Sequence, residues 1–176
     1  KINFVTHSMG GILVRQYLSL HKISNLNKVV MLGPPNQGSE LVDALADLKP
    51  LEWINGPAGM QLGTDDKSLP NQLGAAKFEL GVIAGTQSLN PIYSAVIGTQ
   101  NDGKVSVAST HVEGEKAHLT LPVTHTFMMM NPLVIAQSLE FLRTGEFRTS
   151  LRFGEALEQL AAPAVAGIRS QLTPNK

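Results

Sequence analysis

The spacing of apolar and polar positions changes along the chain, and each change marks an element. Ile2, Phe4 and Val5 form a short apolar run that ends at Thr6-His7-Ser8, with Gly10-Gly11 directly after. Ile12, Leu13, Tyr17 and Leu20 then recur at helical spacing. The opening therefore predicts a strand, a tight turn and an amphipathic helix over about Ser8 to Leu20. After a loop at Asn25 to Asn27, Lys28 to Leu32 reads as a buried strand ended by Gly33-Pro34-Pro35. Strand, helix and strand form a βαβ unit, so the two strands should be parallel. Ser39 is placed to cap a helix from Glu40 to about Leu48.

From Lys49 to Leu73 the periodicity breaks. Pro50, Gly56, Pro57, Gly59, Gly63 and Pro70 interrupt it, and Trp53 lies within it. The stretch reads either as a plain irregular connection or as a lid over an acyl pocket, since long loops in compact domains are often functional. Glu79 to Gly85 is the third strand and Ala117 to Leu121 the fourth. Asn131-Pro132 is a helix start, with Asn as cap and Pro at the first position. Ile135, Leu139 and Leu142 should face inward until Thr144-Gly145. Two weak amphipathic stretches, Phe153 to Leu160 and Val165 to Leu172, are split by Pro163. The expected class is α/β, a mostly parallel sheet with flanking helices. One domain would cover residues 1–147, with a possible lid at 49–73 and a peripheral helical tail at 148–176.

Composition narrows the function. The chain has 176 residues, 43% of them hydrophobic, which suits one domain with a real core. Its 14 basic and 14 acidic residues balance, and no basic run appears, which argues against a nucleic-acid partner. The absence of cysteine removes disulfides, thiolate metal sites and thiol nucleophiles. No apolar run approaches the roughly 18 residues of a membrane span.

The candidate chemistry begins at Ser8. A serine after a strand and before a helix can simply cap the helix. In the G-x-S-x-G motif, however, the same context presents a nucleophilic hydroxyl at the apex of a strained turn. Gly10 fits that motif, and Thr6 stands where its first glycine would be. Side chains at both positions are expected to crowd neighbouring backbone. A serine nucleophile needs an imidazole base, and the base needs a carboxylate to fix its tautomer. Their order in such folds is Ser, acid, His. Ser8, Asp102 and His125 stand in that order, each in a loop after a predicted strand. Asp102-Gly103 is also an ordinary turn signal. His118 lies inside the fourth strand and His111 before it, which makes both poorer bases. His7 should point away from the serine's face, and His21 should be a cation at a helix end. Asp43, Asp47, Asp65, Asp66, Glu113 and Glu115 are the rival acids.

At these residues the sequence resembles the carboxyl-terminal portion of an α/β-hydrolase, in particular bacterial lipase- and esterase-like members. The resemblance rests on Val5-Thr6-His7-Ser8-Met9-Gly10-Gly11, Met31 to Ser39, Asp102 to Val107 and Thr124-His125-Thr126-Phe127. It implies Ser8 as nucleophile, Asp102 as acid and His125 as base, with the backbone N–H of Met9 as one oxyanion donor. The implied activity is hydrolysis of a small-molecule or lipid ester, with no metal or organic cofactor. Thioester hydrolysis or acyl transfer on the same triad, and a non-catalytic binding module of the same fold, are the alternatives. The family places several strands before the one that leads to the serine. The amino-terminal part of the domain, with the loop that supplies a second oxyanion donor, is therefore expected to be missing.

Overall fold

The computed structural model describes residues 1–45 and 56–172. Four strands form one parallel sheet in chain order: β1 (Ile2–His7), β2 (Leu26–Leu32), β3 (Leu80–Gly85) and β4 (Ala117–Leu121). The helices are α1 (Met9–Leu20), α2 (Glu40–Leu45), α3 (Leu69–Gln72), α4 (Pro91–Ile97), α5 (Val107–Thr110), α6 (Pro132–Thr144) and α7 (Phe153–Leu172). Because every pairing is parallel, the carboxyl ends of the strands share one side of the sheet. The loops leaving that side are where ligands of open α/β sheets bind.

The two inner strands are buried on both faces, which is why they read as continuous apolar runs. Alternation sends their side chains to opposite faces. Val30, Leu32 and Ile83 pack with Val134 and Phe141 of α6, and Val29, Met31, Leu80 and Val82 pack with Ala76 and Val112 on the other face. Gly81 lets α6 come this close, because a Cβ there would stand 2.8 Å from the Phe141 ring. Asn131 caps α6 by accepting from the Leu133 N–H, as its sequence indicates.

Several expectations change in the fold. β2 begins at Leu26, inside the expected loop, because Leu26 pairs with Ile2 of β1; its pairing with β3 starts only at Val29. Leu13, Tyr17 and Leu20 of α1 are exposed, and the buried positions are Gly11, Ile12 and Arg15. Ile2 and Val5 are also exposed, on a strand that has a neighbour on one side only among the described residues. In α6, Ile135 and Leu139 face outward while Gln137 and Ser138 are buried. Gln137 is tolerated inside because its amide donates to the Arg148 carbonyl and accepts from the Arg148 N–H. Ser39 precedes α2, but its hydroxyl donates to the Lys104 carbonyl. The tail is one helix running through Pro163; a proline costs one helix hydrogen bond and can kink a helix without ending it.

Residues 46–55 lie outside the described residues, and with them the end of the expected helix from Glu40 and the 49–55 part of the expected lid, Trp53 included. The rest is tied to the body of the domain. Ser39 N–H donates to the Leu62 carbonyl at 2.8 Å, and the Asp43 carboxylate accepts from Thr64. Buried Arg15 donates to the carbonyls of Asn36, Pro70 and Gly74, so one guanidinium joins α1 to two loops. Burial pulls its pKa down to about 10. No described helix is long and apolar enough to cross a membrane.

Candidate active site

β1 ends at His7 and α1 starts at Met9, so Ser8 alone makes the turn. Its backbone sits at φ 54° and ψ −128°, the one positive φ outside glycine among the described residues. Such a conformation costs on the order of 1–3 kcal/mol and persists only when its surroundings hold it. Here the Ser8 N–H donates to the Leu32 carbonyl at 2.8 Å, and the Ser8 carbonyl accepts from the Gly11 N–H at 3.0 Å. The side chain makes no capping bond to the helix, so the helix-cap alternative does not describe Ser8.

The crowding expected at Gly10 is found instead at Gly11. A Cβ on Gly10 would make only an ordinary 3.5 Å contact with Thr6 Cβ. On Gly11 it would stand 3.0 Å from Met31 Sδ and 3.2 Å from Pro34 Cβ. It is the second glycine that lets α1 lie against β2 and the loop after it.

The fold brings Ser8, Asp102 and His125 together. Ser8 Oγ lies 2.9 Å from His125 Nε2, and His125 Nδ1 lies 2.7 Å from Asp102 Oδ2. A carboxylate can only accept, so Nδ1 carries the proton and Nε2 offers a lone pair to the serine hydroxyl. His125 and Asp102 are 3% and 2% exposed, which leaves Ser8 as the member that meets solvent. Asp102 is held on its other side as well. Its Oδ1 accepts from the N–H groups of Lys104 and Val105, at 3.0 and 2.9 Å. The turn at Asp102 is shaped by buried Asn101, whose Oδ1 accepts from the Gly103 N–H and whose amide donates to Ser94 and Thr99. The His125 N–H donates to the Asp102 carbonyl at 2.9 Å, so backbone as well as side chains joins the two loops.

Two residues not expected to belong to the site support this arrangement. His7 does not point away: its ring centroid is 4.7 Å from that of His125, and Nε2 donates to the His125 carbonyl at 2.9 Å. Burial, and then the neighbouring His125, hold His7 below the ordinary imidazole range, which suits a neutral donor. Gly33 has φ +52°, and a Cβ on it would stand 2.9 Å from Asp102 Oδ2 and 3.2 Å from His125 Nδ1. Only the Gly33-Pro34-Pro35 strand ending could have pointed to it.

The other histidines lie elsewhere. His118 bonds Thr110, His111 bonds Glu115, and the His21 ring lies tilted against Tyr17 at the end of α1. Met9 is the first residue of α1, so its N–H has no acceptor within the helix and faces the end where the macrodipole is positive. The assembled groups can pass a proton from a hydroxyl to an imidazole whose other nitrogen is held by a carboxylate.

No family model and no curated protein matches the chain. Solved structures do. The mature form of the Bacillus licheniformis lipase BlEst2 matches with 21% identity and a TM-score of 0.51, over 76% of this chain and 65% of that one. Its propeptide form gives 0.55 at 21% identity, over 76% of this chain and 36% of that one. The phospholipase PlaB of Legionella pneumophila gives 0.55 at 18% identity, over 91% of this chain and 46% of that one. The chain thus spans between about a third and two thirds of the length of these structures. With four parallel strands flanked by helices in the arrangement of these bacterial lipases, the chain has the α/β-hydrolase fold.

Proposed function

We propose that this chain carries the catalytic centre of a serine hydrolase of carboxylic esters, with Ser8 as nucleophile, His125 as general base and Asp102 as the acid that orients it. The observation that carries the reading is the unbroken series Ser8 Oγ, His125 ring, Asp102 carboxylate, with steps of 2.9 and 2.7 Å. Ester hydrolysis is favoured because the structural neighbours are a lipase and a phospholipase. A small-molecule or lipid ester is the corresponding substrate.

In this reading Ser8 Oγ attacks the acyl carbonyl while its proton passes to His125 Nε2. The charge on the tetrahedral oxygen falls beside the Met9 N–H at the start of α1. Collapse breaks the C–O bond to the alcohol, and His125 returns the proton to that oxygen. Water then attacks the acyl-serine with His125 again taking a proton, and the acid leaves as Ser8 is regenerated.

The test is Ser8→Ala. Wild-type protein should react with a fluorophosphonate probe and turn over p-nitrophenyl butyrate. The variant should do neither while keeping its melting temperature, because the Ser8 side chain makes no capping bond. Labelling retained in the variant would move the nucleophile elsewhere, and a wild type that neither labels nor turns over ester would mark a non-catalytic module.

A further inference from the structure

His111, Glu115 and His118 form a second cluster. It stands at the loop between α5 and β4, while Ser8 and His125 stand beyond the carboxyl ends of the strands. We propose that these three residues bind one transition-metal dication of the zinc type, as a site that clamps this loop and takes no part in ester cleavage.

One donor atom from each residue lies within 4.8 Å of the other two. The set is two imidazoles and one carboxylate, without sulfur. Zn²⁺ takes N and O ligands at about 2.0–2.2 Å in tetrahedral geometry, which puts ligand atoms roughly 3.3 Å apart. His111 Nδ1 and Glu115 Oε1 are 2.6 Å apart and share a proton. A cation taking the place of that proton turns one hydrogen bond into two ligand bonds, as the single His111 ring proton shifts from Nδ1 to Nε2.

The third ligand is already set. Thr110 Oγ1 donates to the Val107 carbonyl at 2.6 Å, so its oxygen accepts the Nε2–H of His118 at 2.8 Å. That bond fixes the tautomer and leaves His118 Nδ1 with its lone pair free, as outer partners of metal-binding histidines do. The two imidazole rings stack with centroids 3.7 Å apart and 18° between planes. Closing on an ion requires one ring to turn, and His111, with a side chain 47% exposed, has the room. A water completes four-coordination.

Neutral imidazoles favour Zn²⁺, Co²⁺ or Ni²⁺ over the oxygen-seeking Mg²⁺ and Ca²⁺. The loop so clamped joins α5, which follows the Asp102 turn, to β4, which leads to His125.

The experiment uses the full chain without a histidine tag, stripped with a chelator and titrated with ZnCl₂ by calorimetry. Co²⁺ serves as an absorption probe of coordination. The expected result is one saturable Zn²⁺ per chain in the micromolar range or tighter, no heat with Mg²⁺ or Ca²⁺, and visible Co²⁺ bands of tetrahedral intensity. His111→Ala, Glu115→Gln and His118→Ala should each weaken Zn²⁺ by at least the roughly 10- to 100-fold that losing a mere outer partner costs, and lose the Co²⁺ bands. His21→Ala and His125→Ala should bind as wild type. If His118→Ala fails to fold, His111→Ala at the exposed position decides. Absence of saturable binding, an unchanged affinity in His111→Ala, or loss of binding in His125→Ala would each overturn the proposal.

Discussion

Replacing Asp102 by asparagine should leave the fold standing and stop turnover, and the structure gives the reason atom by atom. Oδ1 accepts from two backbone N–H groups, of Lys104 and Val105, while Oδ2 faces His125 Nδ1 at 2.7 Å. An asparagine there has one oxygen and one NH₂. With NH₂ toward the backbone, two donors would meet donors in a buried site, at a cost of about 1–3 kcal/mol for each left unpaired. The amide therefore keeps its oxygen at the backbone and turns NH₂ toward His125. That makes Nδ1 the acceptor and moves the imidazole proton to Nε2. Ser8 Oγ, 2.9 Å away, then faces an N–H instead of a lone pair, and no base remains. The same tautomer exchange in a serine protease costs roughly 10⁴ in kcat, which is about 5.5 kcal/mol of barrier at 1.36 kcal/mol per decade. The assay is initial-rate hydrolysis of p-nitrophenyl butyrate beside a thermal melt. A folded variant with kcat within about tenfold of wild type would refute the tautomer reasoning.

Gly33→Ala should act on the same hydrogen bond from outside, since its Cβ would stand 2.9 Å from Asp102 Oδ2. A displacement there should lower kcat by about 10²-fold. Gly74→Ala, also at positive φ (+62°) but with nothing within 4 Å of the added Cβ, should show backbone strain alone; equal activity losses in the two variants would discard the crowding argument. His118 titrates at about 4 in the fold against 6.5 for the free side chain, so between those values the unfolded chain takes up a proton that the folded one refuses. Its contribution to stability is full above about pH 6.5 and is lost as pH falls toward 4. In metal-free buffer, melting temperature should therefore fall more steeply with acidification in wild type than in His118→Asn, and identical slopes would contradict the assignment.

Local signals in the sequence were enough for the elements whose ends are set by neighbouring residues. Ala117–Leu121 is a strand and Pro132–Thr144 a helix as read, because alternation, Asn131 and Gly145 act within a few residues of each other. The order Ser8, Asp102, His125 was legible because each residue follows a strand or its loop, and parallel strands deliver such loops to one side. Periodicity could not say which stripe of a helix is covered. In α1 the apolar Leu13, Tyr17 and Leu20 are exposed while Arg15 is buried, because Arg15 meets four carbonyl and amide oxygens supplied by Asn36, Pro70 and Gly74. In α6, Gln137 is inside for the same kind of reason, a hydrogen-bond partner 11 residues away. His7 was expected to point away from the serine's face, and only the closure of the His125 loop over the sheet end brought a carbonyl to its Nε2. The close approach at Gly33, and the seat of Ser8 at φ 54°, depend on contacts between residues about 25 to 90 positions apart, which no local pattern encodes. The residue types came from the sequence; which of them touch was decided by packing across the sheet.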